Sequence, residues 1–394
     1  MDAVPPPSAA NSHISMSLLS RSSLFLLIFV SSEPIANCPF KMDDLQKDYP
    51  WTKAPLIAGA PMRKIALASL AVEISNGGGL GFIGAGSDAD DLADLLEETR
   101  SLQSKASDLK EVRDILPVGV GFLLWAGDKL LEAALPVLEK YHPAAVWLYA
   151  AHETKDLVRW TTEVRRVSPT TKIWIQIGNV REAVEYTQAC QPDVLVVQGQ
   201  DAGGHGLIKA AGIMPLFPEV DDAITEACKQ HSIRKPAMIA TGGLMDGRGL
   251  AAALALGASG VCLGTRYLAS HEAKIMKGYG QAVVEAADGG QTTARTKLYD
   301  ALRGTTDWPD RFGGRGVLNN SFDDHASGMS FEENKRLHDE ALEQGDEGWI
   351  SNNRLTTYAG TGVGLVKGVK GAADITTEVR EDALSILRGN LSKI

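Results

Sequence analysis

The stretch best suited to chemistry is residues 198–206, with the sequence Gln-Gly-Gln-Asp-Ala-Gly-Gly-His-Gly. It follows an apolar run, residues 193–197, that is typical of a strand buried on both faces. Gly203 and Gly204 allow the backbone to approach another group closely, and His205 can accept a proton at neutral pH. The alternative is a structural histidine that bonds a loop carbonyl. The two glycines favour function, so we predict an active-site loop with His205 as its base.

Other candidates for this chemistry are weaker. Asp201 could orient the His205 imidazole or bind a hydroxyl group, and it is equally well explained as a solvated loop carboxylate. His152 precedes Glu153, but position 156 is Asp, so the His-Glu-x-x-His zinc pattern fails. The four cysteines are spread without a Cys-x-x-Cys pair, which predicts neither a metal site nor a disulfide framework. We therefore expect no metal.

Eight short apolar runs, each followed by a helix-like segment, would position this loop. The runs are residues 55–60, 80–85, 117–124, 145–149, 172–177, 193–197, 237–240 and 260–263. Continuous apolar strands indicate a parallel sheet covered on both faces, and eight such units in about 210 residues fit a (β/α)8 TIM barrel. A doubly wound open sheet is the alternative. Open sheets of this kind usually have a Gly-x-Gly-x-x-Gly motif after the first strand. Here the first strand ends in Gly-Ala-Pro-Met, so the open sheet is disfavoured.

Regular alternation stops after Ser270, and this predicts the domain organisation. We expect an unstructured extension over residues 1–48 and an α/β barrel over residues 49–270. Residues 271–350 are expected to form a smaller, mainly helical and loop region over the C-terminal face of the barrel. Residues 351–394 would return to the barrel and end in an amphipathic helix, residues 375–387.

Glycine-rich turns follow the seventh and eighth predicted strands, at Thr241-Gly-Gly-Leu and at Gly264-Thr-Arg. In barrels of this kind the active site lies at the C-terminal strand ends, and phosphate is typically held after strands seven and eight. Bare backbone N–H groups at such turns bind anions. Each turn alone is also explained as a tight βα connection, but both together predict a phosphate site.

We call the C-terminal end of the barrel strands the rim, and we expect three further side chains there. Gln176 ends the fifth strand as a polar residue, and it either faces the site or bonds a neighbouring loop. Pro61 and Met62 follow the first strand and offer an apolar wall, or an ordinary turn.

Charge and hydropathy exclude several functions. A net charge of −10 over 394 residues, without a basic stripe, makes nucleic acid an unexpected partner. The apolar run at residues 24–30 is far shorter than the ~20 residues that span a bilayer. Residues 17–32 resemble a signal peptide, but their basic flank is poor, so an extension is favoured over a signal. We expect a cytoplasmic protein without a membrane partner and leave open whether it forms a homodimer.

Four segments together resemble the nitronate monooxygenase family, formerly called 2-nitropropane dioxygenase. They are Gly59-Ala-Pro-Met62, residues 198–205, Ala240-Thr-Gly-Gly243 and Leu263-Gly-Thr-Arg266. The resemblance runs from about residue 50 to about residue 380. Its later parts, Gly304-Thr-Thr-Asp-Trp-Pro309 and Ala359-Gly-Thr-Gly-Val-Gly364, are similar to the fungal branch.

This resemblance implies an FMN-dependent enzyme on a TIM barrel, in which His205 removes the proton from the carbon that bears a nitro group. The nitronate would then be oxidised by O2 to a carbonyl compound and nitrite. Gly242, Gly243, Gly264 and Thr265 would hold the FMN phosphate. The residues implied to lie along the flavin are Ala60, Pro61, Met62, Gln176, Gly203 and Gly204.

Two departures from the family pattern are the N-terminal segment and Asp201, where many relatives have Glu.

The alternative function is an FMN-dependent NAD(P)H:quinone or enoyl-thioester reductase on the same scaffold. A third is a flavin-binding protein without turnover. The residues that follow strand three, Leu124 to Gly127, differ among relatives, which leaves substrate choice open.

Overall fold

The computed structural model describes residues 43–393, and they belong to one contact unit. The signal-like segment, residues 17–32, lies outside these residues. So does most of the expected extension, whose last six residues form the first helix. Leu45 in this helix is buried, so the folded part of the chain begins before residue 49.

Eleven strands are present in the described residues. They are β1 Leu56–Gly59, β2 Phe82–Gly86, β3 Leu116–Leu123, β4 Pro143–Tyr149, β5 Lys172–Ile177, β6 Val194–Gln198, β7 Gly204–Leu207, β8 Ala237–Thr241, β9 Gly260–Leu263, β10 Thr293–Thr296 and β11 Phe312–Val317. Eight of them form one parallel sheet in the order β1-β9-β8-β6-β5-β4-β3-β2. Backbone bonds between Gly59 and Leu80 and between Leu80 and Ile57 close this sheet into a barrel. The predicted (β/α)8 fold is confirmed.

Sixteen α-helices accompany these strands. They are α1 Asp43–Asp48, α2 Ala68–Asn76, α3 Leu92–Gln103, α4 Asp128–Tyr141, α5 Thr154–Val167, α6 Val180–Cys190, α7 Ile213–His231, α8 Gly247–Ala255, α9 Thr265–Leu268, α10 Lys277–Glu285, α11 Gly289–Thr292, α12 Leu298–Arg303, α13 Asn320–Ala326, α14 Phe331–Glu343, α15 Glu347–Ile350 and α16 Ala372–Leu391. Two 3₁₀ turns, Leu124–Ala126 and Thr361–Leu365, complete the elements.

The barrel strands are buried along nearly their whole length, and this explains their continuous apolar sequences. Three aromatic residues fill the part of the barrel bounded by β2, β4 and β5: Phe82 lies 5.2 Å from Trp147 and 5.0 Å from Trp174, centroid to centroid. Trp174 is fully buried and donates a hydrogen bond to the Tyr49 hydroxyl (2.8 Å). The barrel interior is therefore a packed core.

Elements α10 to α15, with β10 and β11, form what we call the cap. Besides the expected helices and loops it contains a sheet, in the order β10-β11-β7. Residues 204–207, predicted as part of a loop, are its edge strand β7, in which His205 is paired with Gly314. Thus one strand of the cap sheet comes from the chain between β6 and β8 of the barrel.

The last helix, α16, packs on the barrel helices α2 and α8. Its buried Arg380 donates hydrogen bonds to the carbonyls of Pro55, Gly77 and Gly78, at 3.4, 3.1 and 2.7 Å. The C-terminal segment is thereby fixed to the barrel at the start of β1.

No helix within residues 43–393 is long and apolar enough to cross a membrane.

Candidate active site

His205 and Asp300 form a buried pair at the junction of barrel and cap. The Nε2 atom of His205, on β7, lies 2.8 Å from Oδ1 of Asp300, on α12. Their side chains are 13% and 6% exposed. No described residue bonds the second ring nitrogen, Nδ1. One imidazole nitrogen is thus held by a carboxylate while the other remains free to react.

Asp300 accepts further hydrogen bonds at the same oxygen. The hydroxyls of Tyr358 and Thr305 donate to Oδ1 at 2.9 and 3.3 Å. Burial raises the pKa of Tyr358, so its hydroxyl keeps its proton and remains a donor. Asp300 thus has three polar contacts at a single oxygen.

Trp308 fixes the plane of the His205 ring. The two rings are stacked, with centroids 3.8 Å apart and an angle of 2° between their planes. Trp308 also contacts Trp125, Tyr149 and Phe312, at centroid separations of 5.7, 6.4 and 5.8 Å. An aromatic wall from both barrel and cap therefore borders the imidazole. The buried Nε1 of Trp125 has no hydrogen-bond partner among the described residues.

Barrel residues hold the backbone of His205. Gln198, at the end of β6, donates from Nε2 to the His205 carbonyl (3.1 Å). The Tyr149 hydroxyl, at the end of β4, donates to Oε1 of Gln198 (3.1 Å). His205 is positioned from the barrel through its backbone and from the cap through its side chain.

Arg295 on β10 holds the turn that precedes His205. It donates from Nη1 to the carbonyls of Gly204 (2.9 Å) and Gly313 (2.6 Å), and from Nη2 to those of Gln200 (3.2 Å) and Ala202 (2.7 Å). Burial lowers the pKa of Arg295 to about 10, which still leaves the guanidinium charged at neutral pH. The turn is thus fixed by a cation from the cap.

The predicted phosphate turns converge with this loop. A Cβ added at Gly243 would lie 2.9 Å from the Asp201 side chain, and one at Gly242 would lie 2.9 Å from the Gly199 carbonyl. The Thr265 hydroxyl accepts a hydrogen bond from the Gly360 N–H (3.0 Å), and a Cβ at Gly264 would meet only Ala60. The strand ends of β6, β8 and β9 and the segment at residue 360 therefore surround one site.

The remaining predicted residues lie on the two strands that flank this site, after β1 and on β5. Pro61 packs against Gly121 of β3, and the backbone of Met62 packs against Gly84 of β2. Gln176 accepts a hydrogen bond from Trp147 Nε1 at 2.9 Å, and it borders a small cavity with Tyr149. The contact of Gln176 is thus with a neighbouring strand.

Two interpretations made from the sequence need correction. Gly203 allows close approach to Ala359 and Gly360 of the chain itself, because an added Cβ would lie 2.5 Å from their backbone, so it is no argument for a ligand there. Asp201 does not orient the imidazole: its carboxylate accepts from Thr361 Oγ1 (3.1 Å), and Asp300 is the partner of His205.

Sequence reasoning missed four residues of the site. They are Arg295, Asp300, Trp308 and Tyr358. Trp308 and Tyr358 lie in or beside the segments 304–309 and 359–364 on which the family resemblance rests, and this was the only signal. Asp300 carries none, since it is a single acid in an ordinary helical segment.

The chain is thus a TIM barrel with a histidine–carboxylate pair beside glycine turns at the C-terminal strand ends, where barrels of this class carry their active sites. The family model of nitronate monooxygenase matches residues 46–306. The nitronate monooxygenase npaC of Metarhizium robertsii is 47% identical over 347 residues, covering 87% of this chain and 95% of that relative. A nitronate monooxygenase of Neurospora crassa is 36% identical over 370 residues, covering 90% and 95%.

The chain belongs to the nitronate monooxygenase family and is an oxidoreductase, which confirms the resemblance found in the sequence. Solved structures show the same fold. FabK of Thermotoga maritima has a TM-score of 0.67 at 23% identity, covering 89% of this chain and 99% of that one. A nitroalkane oxidase of Streptomyces ansochromogenes has a TM-score of 0.66 at 20% identity, covering 88% and 99%.

Proposed function

We propose that this enzyme binds FMN and oxidises alkyl nitronates with O2 to a carbonyl compound and nitrite. The observation that carries the proposal is the His205 imidazole, held at Nε2 by Asp300 and free at Nδ1, beside the glycine turns of β8 and β9. A base with one free nitrogen suits removal of a proton from a carbon acid. Membership of the family supplies the reaction class.

The glycine positions support a bound flavin. A Cβ at Gly204 would meet nothing within 4 Å, and its φ of +66° suits glycine. A Cβ at Gly264 would meet only the Ala60 methyl, at 3.5 Å. Open space beside bare backbone at strand ends suits a phosphate and a flat ring.

In this proposal the turns at Gly242, Gly243, Gly264 and Thr265 hold the FMN phosphate. The residues along the ring are Ala60, Pro61, Met62, Gln176, Gly203 and Gly204. When bound, FMN supplies the one-electron acceptor that the oxidation needs. The chain itself positions the substrate against the aromatic wall and moves its proton.

His205 acts on neutral nitroalkanes in this proposal. Its unprotonated nitrogen takes the proton from the carbon that bears the nitro group, and the electron pair of that C–H bond moves onto the nitro oxygens. A preformed nitronate has already lost this proton and does not need the base.

A reducing, cytoplasmic location is part of the proposal. Cys190, Cys228 and Cys262 are free and buried, as is usual for proteins in reducing compartments.

Anaerobic mixing tests the function directly. The purified protein is mixed with propionate 3-nitronate and, separately, with NADPH, while flavin absorbance is followed. We expect bleaching by the nitronate and none by NADPH. Bleaching by NADPH alone would instead support the reductase alternative, and a protein without flavin absorbance would contradict the cofactor.

The variant His205→Asn tests the base. We expect it to keep FMN and to oxidise preformed nitronates, while turnover of neutral nitroethane falls by roughly 10²–10⁴-fold because proton removal loses its catalyst. His231→Asn, at an exposed position at the end of α7, is the matched control. Unchanged turnover of neutral nitroethane by His205→Asn would contradict the assignment.

A further inference from the structure

Asp300 has entered so far only as the hydrogen-bond partner of His205, and its own surroundings are tightly constrained. It is nearly fully buried, and its Oδ1 contacts His205 Nε2 at 2.8 Å and accepts from the hydroxyls of Tyr358 and Thr305. Three contacts on one oxygen fix its position.

The ring geometry defines which nitrogen can react. Stacking on Trp308, with 2° between the ring planes, fixes the plane of the imidazole. The Asp300 contact fixes how the ring is rotated within that plane. A carboxylate accepts hydrogen bonds and donates none, so Nε2 carries the proton in the neutral ring. Nδ1 is then the nitrogen with the lone pair.

We propose that Asp300 is a positioning residue that holds His205 in the Nε2–H tautomer, so that Nδ1 is the atom that accepts the substrate proton. This inference rests on the proposed role of His205 as base. When Nδ1 takes the proton, the C–H electron pair stays on the substrate as the nitronate, and the ring becomes an imidazolium. The Asp300 carboxylate then lies beside that cation, as in other carboxylate–histidine pairs.

Other charged and titratable groups lie near His205 on several elements. Tyr358 lies 5.4 Å away, centroid to centroid, and the Arg303 guanidinium lies over the Tyr358 ring. Tyr149 contacts the His205 carbonyl (3.5 Å), and Arg295 bonds the carbonyl of the preceding Gly204. Both arginines disfavour an imidazolium, so among these groups Asp300 is the one that stabilises it.

The variant Asp300→Asn tests how much the carboxylate contributes to the rate of proton removal. The amide keeps the shape and an acceptor oxygen but loses the charge. For neutral nitroethane we expect kcat/KM to fall roughly 10²-fold or more. Oxidation of a preformed nitronate should stay within about twofold of wild type, because it needs no proton removal.

Asp307→Asn, at an exposed position in the same segment, is the matched control and should leave both rates unchanged. An equal loss for both substrates would overturn the proposal and leave Asp300 as a structural residue.

A spectroscopic readout separates this proposal from the proposed function. In protein labelled with ¹⁵N-histidine, the His205 signals are those absent from His205→Asn. We expect them to show a protonated Nε2 and an unprotonated Nδ1 in the neutral ring of the wild type. A protonated Nδ1 would overturn the proposal even if nitronates are oxidised, whereas the expected tautomer in a protein that fails to oxidise nitronates would contradict the proposed function alone.

Discussion

At the scale of single residues, Gly204 combines a positive φ with open space beside the proposed base. Its φ of +66° lies in the left-handed region, and the space where a side chain would stand is open. Most positive-φ glycines fit tight turns, but this one directly precedes the proposed base. Glycine at this position therefore permits the backbone conformation and also leaves space that a ligand could occupy.

Gly204→Ala should weaken flavin binding beyond its effect on stability. The methyl group would stand in the open space, while backbone strain costs about 1 kcal/mol. Gly328→Ala, with a φ of +92° and equally open surroundings in the cap, carries similar strain away from the site. We expect both variants to unfold at similar denaturant concentrations and only Gly204→Ala to raise the Kd for FMN in a fluorescence titration. Equal Kd values would contradict the place given to the flavin.

At the scale of elements, Arg380 shows how the C-terminal helix α16 is held. Its guanidinium is buried, burial lowers its pKa, and its partners are three backbone carbonyls. Those carbonyls belong to the start of β1 and to the turn after α2. The helix thus supports the barrel at the end opposite the site.

Arg380→Met should destabilise the fold without changing the chemistry. It keeps much of the apolar packing but leaves three carbonyls without their donor, at a cost of about 3 kcal/mol. Arg388→Met, at an exposed position on the same helix, should cost less than about 0.5 kcal/mol. Urea unfolding measures both. Equal midpoints for the two variants would show that these hydrogen bonds contribute little.

The elements also show what the sequence could and could not predict. All eight barrel strands were predictable because burial on both faces gives each a continuous apolar run, as in residues 193–197. Strand β7 was not, because Gly-His-Gly-Leu has no period and becomes a strand only by pairing with β11, about a hundred residues later. Asp300 was missed for the same reason: its role depends on packing between distant segments. Gly203 was correctly predicted to lie close to another group. The sequence could not show that this group is the backbone of Ala359 and Gly360.

At the scale of the whole molecule, the proposed cofactor site draws on segments from residue 60 to residue 265. A ligand held by so many parts of the chain should stabilise all of them together. If the turns at Gly242 and Gly264 bind phosphate as proposed, a flavin without a phosphate group cannot use them.

FMN should therefore stabilise the apoprotein more than riboflavin does. At a concentration 100 times its Kd, a ligand that binds only the folded state contributes about 2.7 kcal/mol. We expect FMN to raise the Tm by several degrees and riboflavin, at the same concentration, to raise it less. Equal shifts would show that the turns at Gly242 and Gly264 hold no phosphate, and a larger shift with FAD would contradict FMN as the cofactor.

Strand β7 makes the proposed base depend on both parts of the molecule. His205 is held by Gln198 and Tyr149 from the barrel, whereas its carboxylate and its stacking partner, Asp300 and Trp308, belong to the cap. The strand itself pairs with β11 of the cap sheet. The geometry of the base is therefore complete only when barrel and cap are packed together, and neither part alone would contain a complete site.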